Sequence, residues 1–446
     1  MGVLQGSALY ISAVLGTGIL VLPGLAAEVA GPASLLAVAA VLVLSVPLAG
    51  TFAALAARFP DAGGVATFVR IALGRTAARM AGYWFFFGVG VGAPVVAVLG
   101  ASYLVATFGG PRWAVVVLAV LLLVPPFLSN AFGVRVSGRV QLSLTVALVA
   151  TVIGVVALCA PAMDPARFVP FLPHGWAGVA TAVSLFVWAF SGWEAVTHLA
   201  ADFRAPRRTI PLATGIAVAV VGSSYFALQL MTVTVLGGKE ADGDALPLLA
   251  LVTSAAGGAG RAVVATIAAV VVLGVLNAYV GAFAKLGASL GRDGDLPRWL
   301  AAGSGPGQVP RRSLVAVAAL TGVYLSVLML TGLDLFPFIL IHTSSMVSVY
   351  ALGMLAAVRL FDRFSLGWWL GLVSLVLTAG LLLLAGTQLL VPGCIAVGAL
   401  LVGASKNLRG LRMRQWASRL PNRFRGGSIR GVTSPVGWRP RGRRRR

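Results

Sequence analysis

Phe190-Ser191-Gly192-Trp193-Glu194 sets a carboxylate inside an otherwise apolar stretch running from about Gly178 to Ala201. That stretch has the length a helix needs to cross the hydrocarbon of a bilayer. A carboxylate at membrane depth is costly, and by default it marks the path of a substrate or an ion. The Ser191-Gly192 pair just before it weakens the helix at the same point. The first apolar segment carries a matching interruption, Gly16-Thr17-Gly18. Glycine-interrupted spans at corresponding places in two halves are the best sequence pointer to the central binding site of a secondary transporter.

Around these two breaks the chain reads as an all-α integral membrane protein. Of its 446 residues 59% are hydrophobic and 10% charged, and the mean hydropathy is +0.96, a composition outside the range of soluble domains. Hydropathy predicts twelve spans, at about 7–31, 33–57, 78–108, 113–132, 139–161, 177–200, 210–236, 260–285, 313–331, 334–358, 365–384 and 387–404. No cleavable signal peptide is expected, because residues 1–6 lack Lys and Arg and the first apolar run is too long for an h-region.

Charge sets the expected orientation. The loops after the even-numbered spans and the tail hold all of the 34 Lys and Arg residues except Arg112, Arg167, Lys239 and Arg261. Basic residues stay on the cytoplasmic side, so both termini are expected there. The Arg- and Ala-rich composition fits a GC-rich bacterial source, and hence a plasma (inner) membrane. The net charge of +22 is concentrated in residues 405–446, which contain no acid and end Arg441-Gly442-Arg443-Arg444-Arg445-Arg446. This tail reads as a disordered cytoplasmic segment that meets anionic lipid headgroups, not as a nucleic-acid site. Cys159 and Cys394 both fall in apolar spans, which argues against a disulfide framework or a metal site. No metal or cofactor is expected.

The first ten spans divide into two blocks of five, about 7–161 and 177–358, each opening on a Gly-interrupted helix. The halves share no evident identity, so the repeat rests on hydropathy and on the position of the breaks. Spans eleven and twelve, about 365–404, read as an appendix that completes a transporter domain over residues 1–404.

An unwound Gly16-Thr17-Gly18 would aim backbone N–H groups at the start of a half-helix whose partial positive charge binds a carboxylate. The alternative is a small-residue contact for close helix packing, and the pairing with the second break favours the first reading. Carbonyls around Phe190, Ser191 and Gly192 would accept from an ammonium. Together the breaks make a cradle for a zwitterion that needs no charged side chain. Trp188, Trp193, Phe190 and the run Trp84-Phe85-Phe86-Phe87 are candidate walls or gates. Glu194 and His198, four apart, would share one face of a helix and are candidates for carrying a proton; the plainer role for Glu194 is to cap the second half-helix. His342, followed by Thr343-Ser344-Ser345, reads as an interhelical hydrogen-bonding residue. Gly287-Ala288-Ser289-Leu290-Gly291 and Gly88-Val89-Gly90-Val91-Gly92-Ala93 mimic enzyme motifs but lie within helices, away from the strand contexts those motifs require.

Leu15-Gly16-Thr17-Gly18-Ile19, Gly63-Gly64-Val65-Ala66-Thr67-Phe68-Val69, Phe190-Ser191-Gly192-Trp193-Glu194 and, most specifically, His198-Leu199-Ala200-Ala201-Asp202-Phe203-Arg204-Ala205-Pro206 give the chain its family likeness. It resembles the amino acid–polyamine–organocation (APC) superfamily, and within it the bacterial exporters of L-methionine and branched-chain amino acids, over about residues 3–404. The resemblance implies a LeuT-type 5+5 inverted repeat with discontinuous helices one and six and alternating access. It implies a substrate-carboxylate site at Gly16, Thr17 and Gly18, an ammonium site on carbonyls from Phe190 to Gly192, and a closing aromatic at Trp188. Glu194 matches the acid that recurs after the break in helix six. Span five lacks the interior lysine that some proton-coupled relatives carry, so their coupling does not transfer. The expectation is a secondary transporter, not an enzyme, that exports neutral, apolar amino acids in exchange for protons. An importer or exchanger would share every motif. A polyamine or cationic amino acid carrier would need further intramembrane acids. A membrane enzyme would need convergent polar groups that are missing, while a channel would give gradient-driven flux without saturable exchange.

Overall fold

The computed structural model describes the chain except for Thr17, Phe190, Ser191, residues 238–246, Gly258 and residues 420–446. The side chains of residues 134, 135, 187–189, 256, 259, 384 and 406–419, Trp188 among them, also fall outside the described part. The chain divides into two units, Met1–Ala399 and Leu400–Arg446.

The helices, in order, are α1 (Val3–Leu15), α2 (Gly18–Ala30), α3 (Ser34–Arg58), α4 (Val65–Leu73), α5 (Arg75–Tyr83), α6 (Gly92–Phe108), α7 (Arg112–Ala131), α8 (Val134–Cys159), α9 (Gly175–Ala189), α10 (Pro206–Leu236), α11 (Pro247–Ala256), α12 (Ala259–Arg292), α13 (Arg311–Leu330), α14 (Phe336–Leu360), α15 (Leu366–Ala385) and α16 (Leu390–Arg419). The architecture is all-helical. Among the described residues ten helical stretches are long and apolar enough to cross a membrane, while Val3–Leu15 and Gly175–Phe186 are shorter apolar helices.

The expected first span is therefore two pieces, α1 and α2. The sixth is α9 followed, past the second break, by a 3-10 helix over Ala195–Asp202. A further irregularity was not anticipated. The third span passes through a π turn at Trp84–Gly88 and a 3-10 turn at Val89–Val91 between α5 and α6, where a Gly-rich, bulky-aromatic sequence gives weak support to a regular helix. The tail also departs from expectation. Residues 405–419, read as disordered, continue α16, because Leu, Met, Gln and Arg in this stretch are strong helix formers.

The broken pieces occupy the middle of the bundle. α1 packs on α8, α10 and α12, and α2 packs on α9, α10 and α11, while α3, α14 and α15 pack on one another. Tyr10, Phe186, Trp193 and Tyr225 are among the large side chains fully enclosed in the core. Hydroxyls along the spans are satisfied locally, as where Thr107 and Thr232 donate to the carbonyls four residues back, Tyr103 and Leu228, at 2.8 Å each.

Candidate substrate site

α1 ends at Gly16, whose φ of +31° an L side chain rarely adopts. Its N–H still reaches Ser12 O at 3.3 Å. The carbonyls beside the break are met by tyrosines from distant helices. Tyr225 of α10 donates to Leu15 O at 3.1 Å, and Tyr103 of α6 donates to Leu20 O at 2.5 Å. Thr145 of α8 braces α1 from the side, donating to Ala8 O at 3.0 Å with its oxygen 2.7 Å from Ser12 Oγ. Irregular backbone at membrane depth survives only where neighbours satisfy it in this way.

The second break lies against the first. Gly192 has φ +129°, and a Cβ built on it would fall 2.8 Å from Ala13 O and 2.9 Å from Ala13 C. Its N–H is shared between Glu194 Oε2 and the Tyr350 hydroxyl, each at 3.0 Å. Tyr350 of α14 in turn donates to Glu194 Oε2, and Tyr279 of α12 donates to Glu194 Oε1 at 3.1 Å. Glu194 is fully buried. An unpartnered carboxylate there would carry a large desolvation cost, and three donors from α12, α14 and the break itself offset it. Neither tyrosine was singled out from the sequence. The signal was present, since a tyrosine hydroxyl within a span needs a partner and Glu194 was the acid available.

Glu194 and His198 do not share a face, because the segment between them is a 3-10 helix with three residues per turn. His198 turns toward the loop before α4, with Nδ1 3.4 Å from Ala62 O and its ring 4.5 Å from that of Phe85. Its Nε2 is enclosed without a partner. Trp193 points into the core, its ring 6.0 Å from that of Tyr10. Trp84 donates to Pro392 O at 2.6 Å. None of these aromatic side chains lines the cavity beside the first break. Thr17, Phe190 and Ser191, and the side chain of Trp188, lie outside the described part.

That cavity is small, about 60 Å³, and open at its mouth. Ala13, Val14, Gly16 and Gly18 form one wall. Val89, Gly92, Ala93 and Val96 form the second, and Val275, Leu276, Tyr279, Phe283 and His342 complete it. The first break thus lines a largely apolar chamber with no Asp, Glu, Lys or Arg among its described lining residues, and Gly192 of the second break lies against Ala13 of its wall.

Ion pairs gather where the loops after α3 and α12 meet. Lys285 pairs with a buried Asp202 at 3.1 Å and donates to Gly305 O at 3.1 Å, and Gly307 N donates to Asp202 Oδ1 at 2.5 Å. Arg79 pairs with Asp295 at 2.7 Å, Arg292 with Asp61 at 2.8 Å, and Arg70 with Asp293. Burial pushes the Asp61 carboxyl up, but the Arg292 guanidinium, the Gly63 N–H and the Thr67 hydroxyl outweigh it and hold it below the usual aspartate value.

Two broken helices beside a largely apolar chamber within a polytopic helical bundle are the arrangement of a membrane transporter. The family model described as amino acid permease matches residues 1–405, and the chain belongs to that family, within the APC superfamily. Its relatives include an uncharacterized amino acid permease, YecA, of Bacillus subtilis, 31% identical over 88% of this chain and 92% of that one. They also include the L-methionine/branched-chain amino acid exporter YjeH of Escherichia coli, 30% identical over 88% and 96%. Among solved structures, a Na+-coupled sialic acid symporter in a substrate-bound, outward-open state aligns with a TM-score of 0.61 over 87% of this chain and 89% of that one, at 11% identity. At that identity the likeness concerns the fold, which is of the LeuT type.

Proposed function

We propose that this permease exports neutral, apolar amino acids across a bacterial plasma membrane in exchange for protons, by alternating access of a 5+5 inverted repeat. Both termini lie in the cytoplasm in this reading, and the basic tail meets anionic headgroups. The observation that carries it is the chamber itself. Its walls are mostly apolar, with Tyr279 and His342 the polar residues and no Asp, Glu, Lys or Arg among the described lining residues, so the charges of a zwitterion are met chiefly by backbone. The carboxylate docks at Gly16, Thr17 and Gly18, where the start of α2 offers N–H groups and a positive dipole end. The ammonium docks on carbonyls from Phe190 to Gly192, and the apolar substrate side chain takes up the remaining space. Glu194 holds the second break in shape through Gly192, Tyr279 and Tyr350. The kinship with a methionine and branched-chain exporter supports the choice of substrate.

Proteoliposomes preloaded with labelled methionine or leucine test the reading. Saturable efflux, accelerated by external acid, is the expected result. Folded protein that moves neither amino acid in either direction would refute the substrate assignment, and efflux indifferent to the pH gradient would refute the coupling.

A further inference from the structure

Among the described residues that line the chamber, only Tyr279 and His342 bring side-chain polar atoms to it, and of these only an imidazole titrates near neutral pH. His342 sits in the second turn of α14 with Nδ1 3.0 Å from Val89 O. A carbonyl only accepts, so Nδ1 carries the hydrogen of the neutral ring and Nε2 presents a lone pair. Among the described residues Nε2 has no hydrogen-bond partner, and unlike His198 Nε2 it is not among the fully enclosed, unpartnered polar atoms. The wall is cut to admit the ring, since a Cβ on Gly92 would fall 2.5 Å from Nδ1 and 2.9 Å from Cε1.

The surroundings leave this imidazole as the chamber's own proton acceptor. The Val89–Val91 turn, α6 and α15 bring no charged side chain to α14. From α13 comes Tyr324, whose hydroxyl is engaged with Phe87 O at 2.8 Å, and the charges of that helix are Arg311 and Arg312 in its first turn. Arg70, Arg75 and Arg79 of α4 and α5 are engaged with Asp293 and Asp295, and Arg58 of α3 lies over Phe361, past the end of α14. On its own element the charges are Asp334, before the first turn, and Arg359, in the last. Glu194 lies behind Tyr279 and Tyr350 with both oxygens occupied.

We propose that His342 carries the coupling proton, and that this proton and the substrate ammonium exclude each other from one chamber. The inference rests on the proton-coupled reading above. With the ring neutral, the chamber accepts the zwitterion. Protonation of Nε2 from the acidic side puts a second cation beside the ammonium with no side-chain anion to offset it, and the substrate leaves. The protonated carrier then returns and gives the proton up on the other side. One proton crosses for each amino acid moved the other way, and competition for a shared space enforces the exchange.

The test is a proton count on purified, full-length protein in weakly buffered detergent containing a pH dye. Leucine is added at several values between about pH 8 and about pH 5, which bracket imidazole titration. The expected result is release of a proton on binding below the histidine's pKa, with affinity falling about tenfold per pH unit there, as linkage of two exclusive ligands requires. In His342→Gln the release disappears and affinity becomes flat with pH. Wild-type protein that binds leucine without releasing a proton, or His342→Gln that keeps the wild-type pH slope, would overturn the proposal. If the wild type binds neither leucine nor methionine, the substrate reading is what fails, and the same count is taken with whichever neutral amino acid does bind.

Discussion

Gly192→Ala tests the contact between the two breaks most directly. The substitution brings two costs. A φ of +129° lies where side chains other than glycine are strained, at about 1–3 kcal/mol. The new Cβ would also lie 2.8 Å from Ala13 O, about half an ångström inside a normal carbon–oxygen contact. What must yield is main chain of α1, and α1 is braced by Thr145 at Ala8 and Ser12 and by Tyr225 at Leu15. Overpacking against such a wall costs about 1–3 kcal/mol more. Taking about 3 kcal/mol overall, leucine affinity should fall by about a hundredfold, because the substrate site requires the breaks to stay apposed. Gly16→Ala is the internal comparison. Its Cβ would meet nothing nearer than Ala13 O at 3.5 Å, so only backbone strain of about 1–3 kcal/mol applies, without the overpacking cost, and the loss should be about ten- to thirtyfold. Equilibrium binding of labelled leucine, with melting temperature read on the same preparations, gives both numbers. Wild-type affinity in Gly192→Ala, or a greater loss in Gly16→Ala, would refute the apposition of the two breaks.

Four further outcomes are expected. Tyr350→Phe removes a donor to Glu194 and an acceptor for Gly192 N–H, so it should destabilise the protein by about 1–3 kcal/mol and lower its melting temperature more than Tyr279→Phe, which removes one bond. Lys285→Met strands the buried Asp202 carboxylate and should cost about 3–5 kcal/mol, with Asp202→Asn recovering much of the loss in a double-mutant cycle; additive losses would show that the pair is not coupled. Asp61 is held below its ordinary value by Arg292, Gly63 and Thr67, so its contribution is complete above the unfolded aspartate pKa and is lost as pH falls through the lower folded value. Asp61→Asn should therefore depress the melting temperature near neutrality and flatten its decline in acid, and an unchanged acid limb would remove Asp61 from that role. Glu194→Gln should slow equal exchange and pH-driven efflux by the same factor, whereas loss of the pH-driven component alone would place the coupling proton on Glu194 rather than His342.

Glycine and acid signals were legible in the sequence because their physics is local. Gly16 needs an unusual dihedral, Glu194 needs an explanation at membrane depth, and both needs are visible without knowing the neighbours. Much of the site is not local. Gly192 and Tyr350 stand 158 positions apart, and no spacing rule links them. Composition identified many aromatic residues near the breaks but not their direction, and Trp193, the most prominent, turns into the core beside Tyr10. The pairing of Glu194 with His198 assumed an α-helix, and one change in residues per turn, from 3.6 to about 3, sends them to different partners. The same distinction explains His342. From sequence it was a polar residue that would find a bond, and it does, through Nδ1. What no linear pattern carries is where the other nitrogen is left. An imidazole has two nitrogens with separate fates, so satisfying one with a carbonyl is what leaves the second available for a proton, and the bond that reads as structural is the one that poises the ring for chemistry.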